Sequence, residues 1–228
     1  MLTGLFITGT DTGVGKTRVG IGLARGLVRR GWRVRARKPV ESGCHAVAGA
    51  LLPADAEALR QAAGGLESLA RVCPHPLAAA LAPPRAAALE KRSLPLAALV
   101  DACRAGVAAG DFVLVEGAGG FLSPLATDGL NADLALALAL PVLLVAEDRL
   151  GAIHQVLATS EAVERRGLRL AAVVLNAATA PPGPGLDNAA DLSAQLDAPL
   201  FVLPHAPAAT PLGPLPDAWI ARLLTHDP

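Results

Sequence analysis

Gly9-Thr10-Asp11-Thr12-Gly13-Val14-Gly15-Lys16-Thr17 stands directly after a short apolar run, Leu5–Thr8, and opens a segment of helical period, Lys16–Arg30. A glycine-rich turn between strand and helix aims backbone N–H groups at phosphate oxygens, and the helix N-terminus adds its positive end. In that reading Gly13, Val14 and Gly15 form the cradle, Lys16 reaches the β- and γ-phosphates, and Thr17 ligates Mg²⁺. The strict pattern wants glycine where Thr10 stands; Gly9 sits one residue further back, so the loop is a variant. A glycine-rich turn without function is the bland alternative.

Outward from this loop, short runs of Val, Ile and Leu alternate with longer Ala/Leu/Arg segments of helical period, the pattern of βαβ units in a parallel sheet. Strands are expected at Leu5–Thr8, Arg33–Lys38, Phe112–Glu116, Val142–Ala146, Ala171–Asn176 and Leu200–Leu203. Helices are expected at Lys16–Arg30, Asp55–Ala63, Leu96–Ala109, Asn131–Ala139, His154–Arg166 and Asp187–Leu196. The strands lack polar alternation, so both faces of the sheet should be covered. This is an α/β chain with a mostly parallel central sheet, helices on both faces, and one domain over residues 1–228. Val40–Leu96, with Gly64-Gly65 and Pro74, Pro76, Pro83 and Pro84, should wrap the sheet edge as loops and short helices, and Ala180–Leu186 reads as a turn.

The chain has 228 residues, 20 basic and 20 acidic, and only three of the basic ones are lysines: Lys16, Lys38 and Lys91. Where arginine serves nearly every cationic role, a retained lysine marks a place where a compact, mobile ammonium is wanted. Zero net charge argues against a polyanionic partner, nucleic acid or acidic membrane alike. Arg25, Arg29 and Arg30 read as one solvated helix end. The longest charge-free stretch, Ala198–Pro216, holds six prolines and cannot be a spanning helix. No charged-then-apolar leader precedes the first strand, so a cytoplasmic location is expected. Cys44, Cys73 and Cys103 match neither metal-ligand spacing nor a disulfide framework, and read as reduced, mostly packing thiols.

Two further segments carry chemistry. Phe112-Val113-Leu114-Val115-Glu116 is an apolar strand ending in a carboxylate, the usual companion of Mg²⁺ beside a phosphate loop, and Gly117-Ala118-Gly119-Gly120 follows as a loop open to ligand. Lys38-Pro39-Val40-Glu41-Ser42-Gly43 sits at the end of the second strand, on the edge of a parallel sheet where ligands bind. Lys38 would face the same crevice as Lys16; the bland alternative is a snorkelling lysine. Asp55 is either an N-cap or a carboxylate that helps hold Mg²⁺.

Gly9–Thr17, Lys38–Gly43, Asp55, Glu116–Gly120 with Pro124-Leu125, Leu150-Gly151 and Asn176 occur in an order and spacing that resembles the dethiobiotin synthetase family. The likeness runs from the N-terminus to about Pro204 and implies a P-loop NTPase-like fold. It further implies a homodimer that takes 7,8-diaminononanoate, CO₂ and Mg-ATP and closes a cyclic urea, releasing ADP and phosphate. A substrate amine captures CO₂ as a carbamate, ATP phosphorylates a carbamate oxygen, and the neighbouring amine attacks the mixed anhydride. Gathering these anions demands positive charge at the transferring group.

By resemblance, Lys16, Lys38 and Thr12 are the catalytic residues, and Thr17, Asp55 and Glu116 hold Mg²⁺. Thr12, Lys38, Ser42, Leu150 and Gly151 would meet the substrate. Gly13, Val14, Gly15, Lys16, Thr17, Arg18, Asp55, Glu116, Gly117, Ala118, Gly119, Asn176 and Pro204 would meet ATP, with Asn176 on the adenine. In the family the segment after the Val142–Ala146 strand lies at the subunit interface and helps receive the substrate's carboxylate tail. Here it carries Glu147-Asp148 in place of a small or apolar pair, and His154 where Asn is common.

Two other classes share parts of this pattern. Switch ATPases of the chromosome-partitioning or division-site kind carry an early lysine in the loop, where this chain has Asp11. Cobyrinate-type amide synthetases add a glutaminase domain, for which the chain has no room.

Overall fold

Residues 2–177, 185–205 and 212–224 are described by the computed structural model. The chain opens with β1 (Gly4–Gly9), α1 (Lys16–Arg29) and β2 (Arg33–Arg37). Short elements follow: β3 (Val40–Ser42), β4 (His45–Val47), β5 (Ala50–Leu52), α2 (Ala54–Ala62), α3 (Leu69–Val72), β6 (His75–Leu77) and α4 (Pro83–Leu89). Next come α5 (Leu96–Arg104), β7 (Asp111–Gly120), β8 (Pro124–Ala126), β9 (Gly129–Leu130), α6 (Asn131–Leu138) and β10 (Val142–Glu147). The last elements are α7 (Ala152–Arg165), β11 (Leu170–Asn176), α8 (Asn188–Ser193), β12 (Leu200–Leu203) and α9 (Asp217–Leu224).

The six strands expected from the sequence form one sheet in the order β12-β11-β10-β1-β7-β2, and every pairing in it is parallel. Because successive side chains point to opposite faces, each apolar strand feeds two cores. Phe6, Val113, Val115, Leu144 and Val173 pack on one face with Leu99, Leu134 and Val156 from α5, α6 and α7. Leu5, Ile7, Leu114, Val145 and Val174 pack on the other with Val19, Leu23 and Leu27 of α1 and Ile220 of α9. Each such side chain contributes about 1.5–3 kcal/mol when fully buried, which is why sheet order and helix placement are set by these two layers.

Several expectations are corrected. The Gly117–Gly120 stretch is not a loop but the continuation of β7, with Gly9 paired to Gly120, because neighbouring groups supply its backbone bonds. α5 stops at Arg104 rather than Ala109; Gly106 turns the chain at φ 73° and the Asp111 carboxylate accepts from Ala108 N. The Val40–Leu96 wrap contains strands as well as helices: β3 pairs with β6, and β4 pairs with β5 through a two-residue turn in which Ala48 and Gly49 both have positive φ. Arg29 and Arg30 are not merely solvated, since both pair with Asp217, and Arg25 donates to the Leu212 carbonyl. These arginines fasten the C-terminal segment to α1.

Cys44, Cys73 and Cys103 are free and buried, and burial pushes the Cys73 and Cys103 thiols up to about 12, as packing thiols require. Among the described residues no helix is long and apolar enough to cross a membrane. Most of the Ala180–Leu186 turn and part of the proline-rich stretch lie outside the described residues.

Candidate active site

All six sheet strands run parallel, so their carboxyl ends share one edge, and there β1, β2 and β7 open onto a cavity of about 690 Å³. The Gly9–Thr17 loop forms its floor. Gly13 and Gly15 take left-handed backbone (φ 79° and 97°), which residues with a Cβ resist, and Gly15 serves as the N-cap of α1 without any side-chain cap. The amides at the start of α1 are therefore left for a ligand. Gly9 explains the variant spacing: a Cβ there would press on Val14, the Asp11 carbonyl and Lys16 Nζ. It supplies the close approach that Thr10 cannot.

Lys16 is buried and curls back so that Nζ donates to Asp11 O at 2.9 Å. Burial, and then the Lys38 charge, lower its pKa to about 8. Lys38 lies just beyond β2, whose register places Arg37 beside Val115, so its side chain meets Glu116 on the neighbouring strand. Its Nζ donates to Glu116 Oε1 at 2.5 Å and Gly117 O at 3.1 Å, with Asp55 Oδ2 at 3.6 Å. Burial alone would lower the Lys38 pKa, but Glu116, then Asp55, hold it above the ordinary lysine value. Two ammonium groups thus face one cavity, one paired and one held only by a carbonyl.

Glu116 Oε1 also accepts from Thr17 Oγ1 at 2.8 Å, whereas Glu116 Oε2 is buried with no partner. An orphaned carboxylate oxygen is costly; this one faces Gly20 of α1, while Oε1 gathers the Thr17 hydroxyl and Lys38, with the half-exposed Asp55 carboxylate 3.6 Å from the same ammonium. No group of three or more His, Cys, Asp or Glu arranged for a metal occurs among the described residues. One or two carboxylates plus a hydroxyl and substrate phosphates is, however, the oxygen set that Mg²⁺ takes. The residues present fit that ion.

Of the residues expected at the site, Thr12, Gly13, Gly15, Lys16, Thr17, Lys38, Ser42, Asp55, Glu116, Ala118 and Gly119 line the cavity together. Glu41 and Pro124, which belong to the quoted motifs but carry no expected role, line it too, and Ser123 and Ala80–Pro83 were not expected. Asp55 is not the N-cap of α2; that position is Pro53, and Asp55 sits in the first turn. Ala118 has its N–H bonded to Asn131 Oδ1 and its carbonyl to Asn131 Nδ2, so it offers less backbone than expected. Asn131 comes close because Gly117 has no side chain to obstruct it.

Known proteins bear on this geometry. A family model described as an AAA domain matches residues 3–212. An ATP-dependent dethiobiotin synthetase BioD of Anaeromyxobacter dehalogenans is 48% identical over 208 residues, covering 90% of this chain and 92% of the relative. The chain belongs to the dethiobiotin synthetase family. A synthetase of the same name from Rhodopirellula baltica is 40% identical over 208 residues, with 85% of this chain and 77% of the relative covered. Among solved structures, the signal recognition particle receptor FtsY of Elizabethkingia anophelis superposes with a TM-score of 0.52 at 16% identity. That match covers 98% of this chain but 65% of the receptor, and it speaks to the fold alone.

The remaining positions that resemble dethiobiotin synthetase motifs lie outside the cavity. Asn176, at the end of β11, is fully buried: Nδ2 donates to Val14 O at 2.8 Å, and Oδ1 accepts from Arg18 Nη1 at 2.6 Å. Arg18 Nη2 reaches Pro204 O at 3.1 Å, so Asn176, Arg18 and Pro204 brace the phosphate loop against the ends of β11 and β12. Leu150 is 81% exposed, and Gly151 is the left-handed N-cap of α7. The acidic pair at the end of β10 is compensated within the chain. Glu147 pairs with Arg149 at 3.2 Å, and Asp148 turns inward to accept from Asn188 Nδ2 at 2.8 Å.

Proposed function

We propose that this chain is an ATP-dependent dethiobiotin synthetase, a carbon–nitrogen ligase that closes the ureido ring of dethiobiotin from 7,8-diaminononanoate and CO₂ in biotin biosynthesis. The observation that carries the reading is the convergence of Lys16 and Lys38 on one cavity that also holds Thr17, Asp55 and Glu116. Its 40–48% identity to synthetases of that name agrees.

In this reading the phosphates of ATP lie along Gly13–Lys16, and the α1 amides and Lys16 draw the β- and γ-phosphates. Thr17, Asp55 and Glu116 hold Mg²⁺, which neutralises phosphate charge when bound. Thr12, in the phosphate loop, and Ser42, at the end of β3, bind the carbamate or amine end. Lys38, fixed by Glu116 and the Gly117 carbonyl, keeps a full positive charge beside the transferring group. The γ-phosphoryl group passes to a carbamate oxygen, ADP departs, the second amine attacks the carbonyl carbon, and the bond to phosphate breaks with loss of a proton. The protein's share is positioning and charge, with Lys16 and Lys38 offsetting the anions that meet.

The further parts of the reading are one ligase domain over residues 1–228, a cytoplasmic homodimer, and adenine held beside Asn176. The exposed Leu150 on the segment after β10 supports an interface there. No helix among the described residues is long and apolar enough to cross a membrane, and the balance of 20 basic and 20 acidic residues gives no net positive charge to draw nucleic acid. Phosphate release from ATP, measured with and without diaminononanoate and bicarbonate, tests the whole. A synthetase releases phosphate only with the diamine; hydrolysis independent of it would favour a switch ATPase.

A further inference from the structure

We infer that Glu41 is a positioning residue for the Mg²⁺ site, placing Asp55 by capping the helix that carries it. α2 begins after Pro53, which has no side chain able to accept a hydrogen bond, so the helix has no cap of its own. Two of its free amides are satisfied from a distance: Asp55 N donates to Glu41 Oε1 at 3.1 Å and Ala56 N to Glu41 Oε2 at 2.9 Å. A buried carboxylate at a helix N-terminus is favoured by both charge-assisted bonds and the helix dipole.

The consequence is geometric. Glu41 stands on β3, three residues after Lys38, and the chain then leaves through the β4–β5 hairpin before returning as α2. One carboxylate therefore ties the strand end that carries Lys38 to the helix turn that carries Asp55. Without it the Asp55 carboxylate, 48% exposed and 3.6 Å from Lys38 Nζ, would sit on an uncapped first turn, with the buried face of α2 still packed on α1. Each Glu41 oxygen accepts a backbone amide of α2, so the role assigned to it runs through Asp55. The inference rests on the reading of Asp55 as a Mg²⁺ ligand.

The test is calorimetric titration of ATP, with and without Mg²⁺, into wild type, Glu41→Ala, Glu41→Gln and Asp55→Asn, with thermal melts to show that each is folded. Glu41→Ala should weaken Mg-ATP binding about tenfold, the usual cost of losing a residue that orients a metal ligand, and leave metal-free ATP binding unchanged. Glu41→Gln, which keeps one acceptor oxygen, should fall between it and wild type, and it carries the test if Glu41→Ala does not fold. The double variant with Asp55→Asn should bind Mg-ATP no more weakly than Asp55→Asn alone. Folded Glu41 variants that bind Mg-ATP like wild type, while Asp55→Asn does not, would overturn the role of Glu41 alone. An Asp55→Asn variant with unaltered Mg²⁺ dependence would overturn the metal-site reading and this inference with it.

Discussion

Lys38 Nζ lies 2.5 Å from Glu116 Oε1, and both side chains are buried at the cavity wall. The pair does two things at once: it fixes the ammonium beside the transferring group, and it satisfies one oxygen of a carboxylate whose other oxygen has no partner. Lys38→Ala should lower phosphate release with diaminononanoate and bicarbonate by about a thousandfold or more while ATP still binds. It should also cost about 3 kcal/mol in urea unfolding, because Glu116 would be left as an unpaired buried charge. A Lys38→Ala variant with near wild-type phosphate release would show that the ammonium does not act on the reaction.

Lys16 behaves differently with pH. Its folded pKa of about 8 lies below the ordinary 10.5, so in the window between them the unfolded chain holds more protons than the native one. Stability contributed by this group therefore rises as pH climbs through that window. ATP affinity runs the other way, since phosphate favours the charged lysine. Binding should weaken by up to about tenfold per pH unit above the folded pKa, and Lys16→Arg, always charged, should flatten the profile. Urea unfolding across that range measures the first slope and calorimetry of ATP the second, and a wild-type binding profile already flat would contradict the assignment.

Gly15 admits no side chain. Its φ of 97° disfavours one, and a Cβ would collide with the Asn176 amide. Gly15→Ala should cost about 1–3 kcal/mol of backbone strain and displace the brace from Asn176 to Val14, raising the KM for ATP more than that for the diamine. Steady-state kinetics with each substrate varied in turn separates the two.

Glu147 and Asp148, adjacent in sequence, should respond in different currencies of measurement. Asp148→Ala leaves the buried Asn188 amide short of an acceptor, and should lower unfolding free energy by about 1–3 kcal/mol. Glu147→Gln disturbs a partly exposed pair and should change stability by less than about 1 kcal/mol. It removes a negative charge from the segment expected to receive the substrate's carboxylate tail, so the KM for diaminononanoate should fall with ATP affinity unchanged. A KM that does not move would place Glu147 away from the tail.

Lys91 has φ 55° in the residue just past the α4 cap, a left-handed position that glycine fills best. Lys91→Gly should raise the melting temperature, with a gain of about 0.5–1 kcal/mol and no change in turnover. The third lysine is thus a surface residue at a strained turn, unlike the other two.

The order of the elements was legible because it depends on local pattern. Six apolar runs with glycine or proline punctuation became the six strands of one sheet, and Leu200–Leu203 matches to the residue. The phosphate loop and Lys38 were legible for the same reason: each sits at a strand end, and parallel strands bring such ends to one edge; Glu116 read as a strand end too, though it lies within β7. What misled was local reading of residues whose partners are distant. Gly117–Gly120 read as a loop because glycines favour turns, yet Gly9 and Asn131 bond it as strand. Arg29 and Arg30 are exposed as read, but their partner Asp217 lies at the far end of the chain and left no local signal.

Glu41 shows the division most sharply. In sequence it is the variable position of Lys-Pro-Val-x-Ser-Gly, an acid in a loop with no pattern to assign it. Folding brings it under α2, where two amides need an acceptor and Pro53 provides none. The sequence by itself determined the parallel α/β architecture and the chemistry-bearing loop, since periodicity and glycine spacing are properties of neighbours along the chain. Only the tertiary structure decided which carboxylate is paired, which is orphaned and which caps a helix. Those roles follow from burial and from contacts between segments that share no local signal.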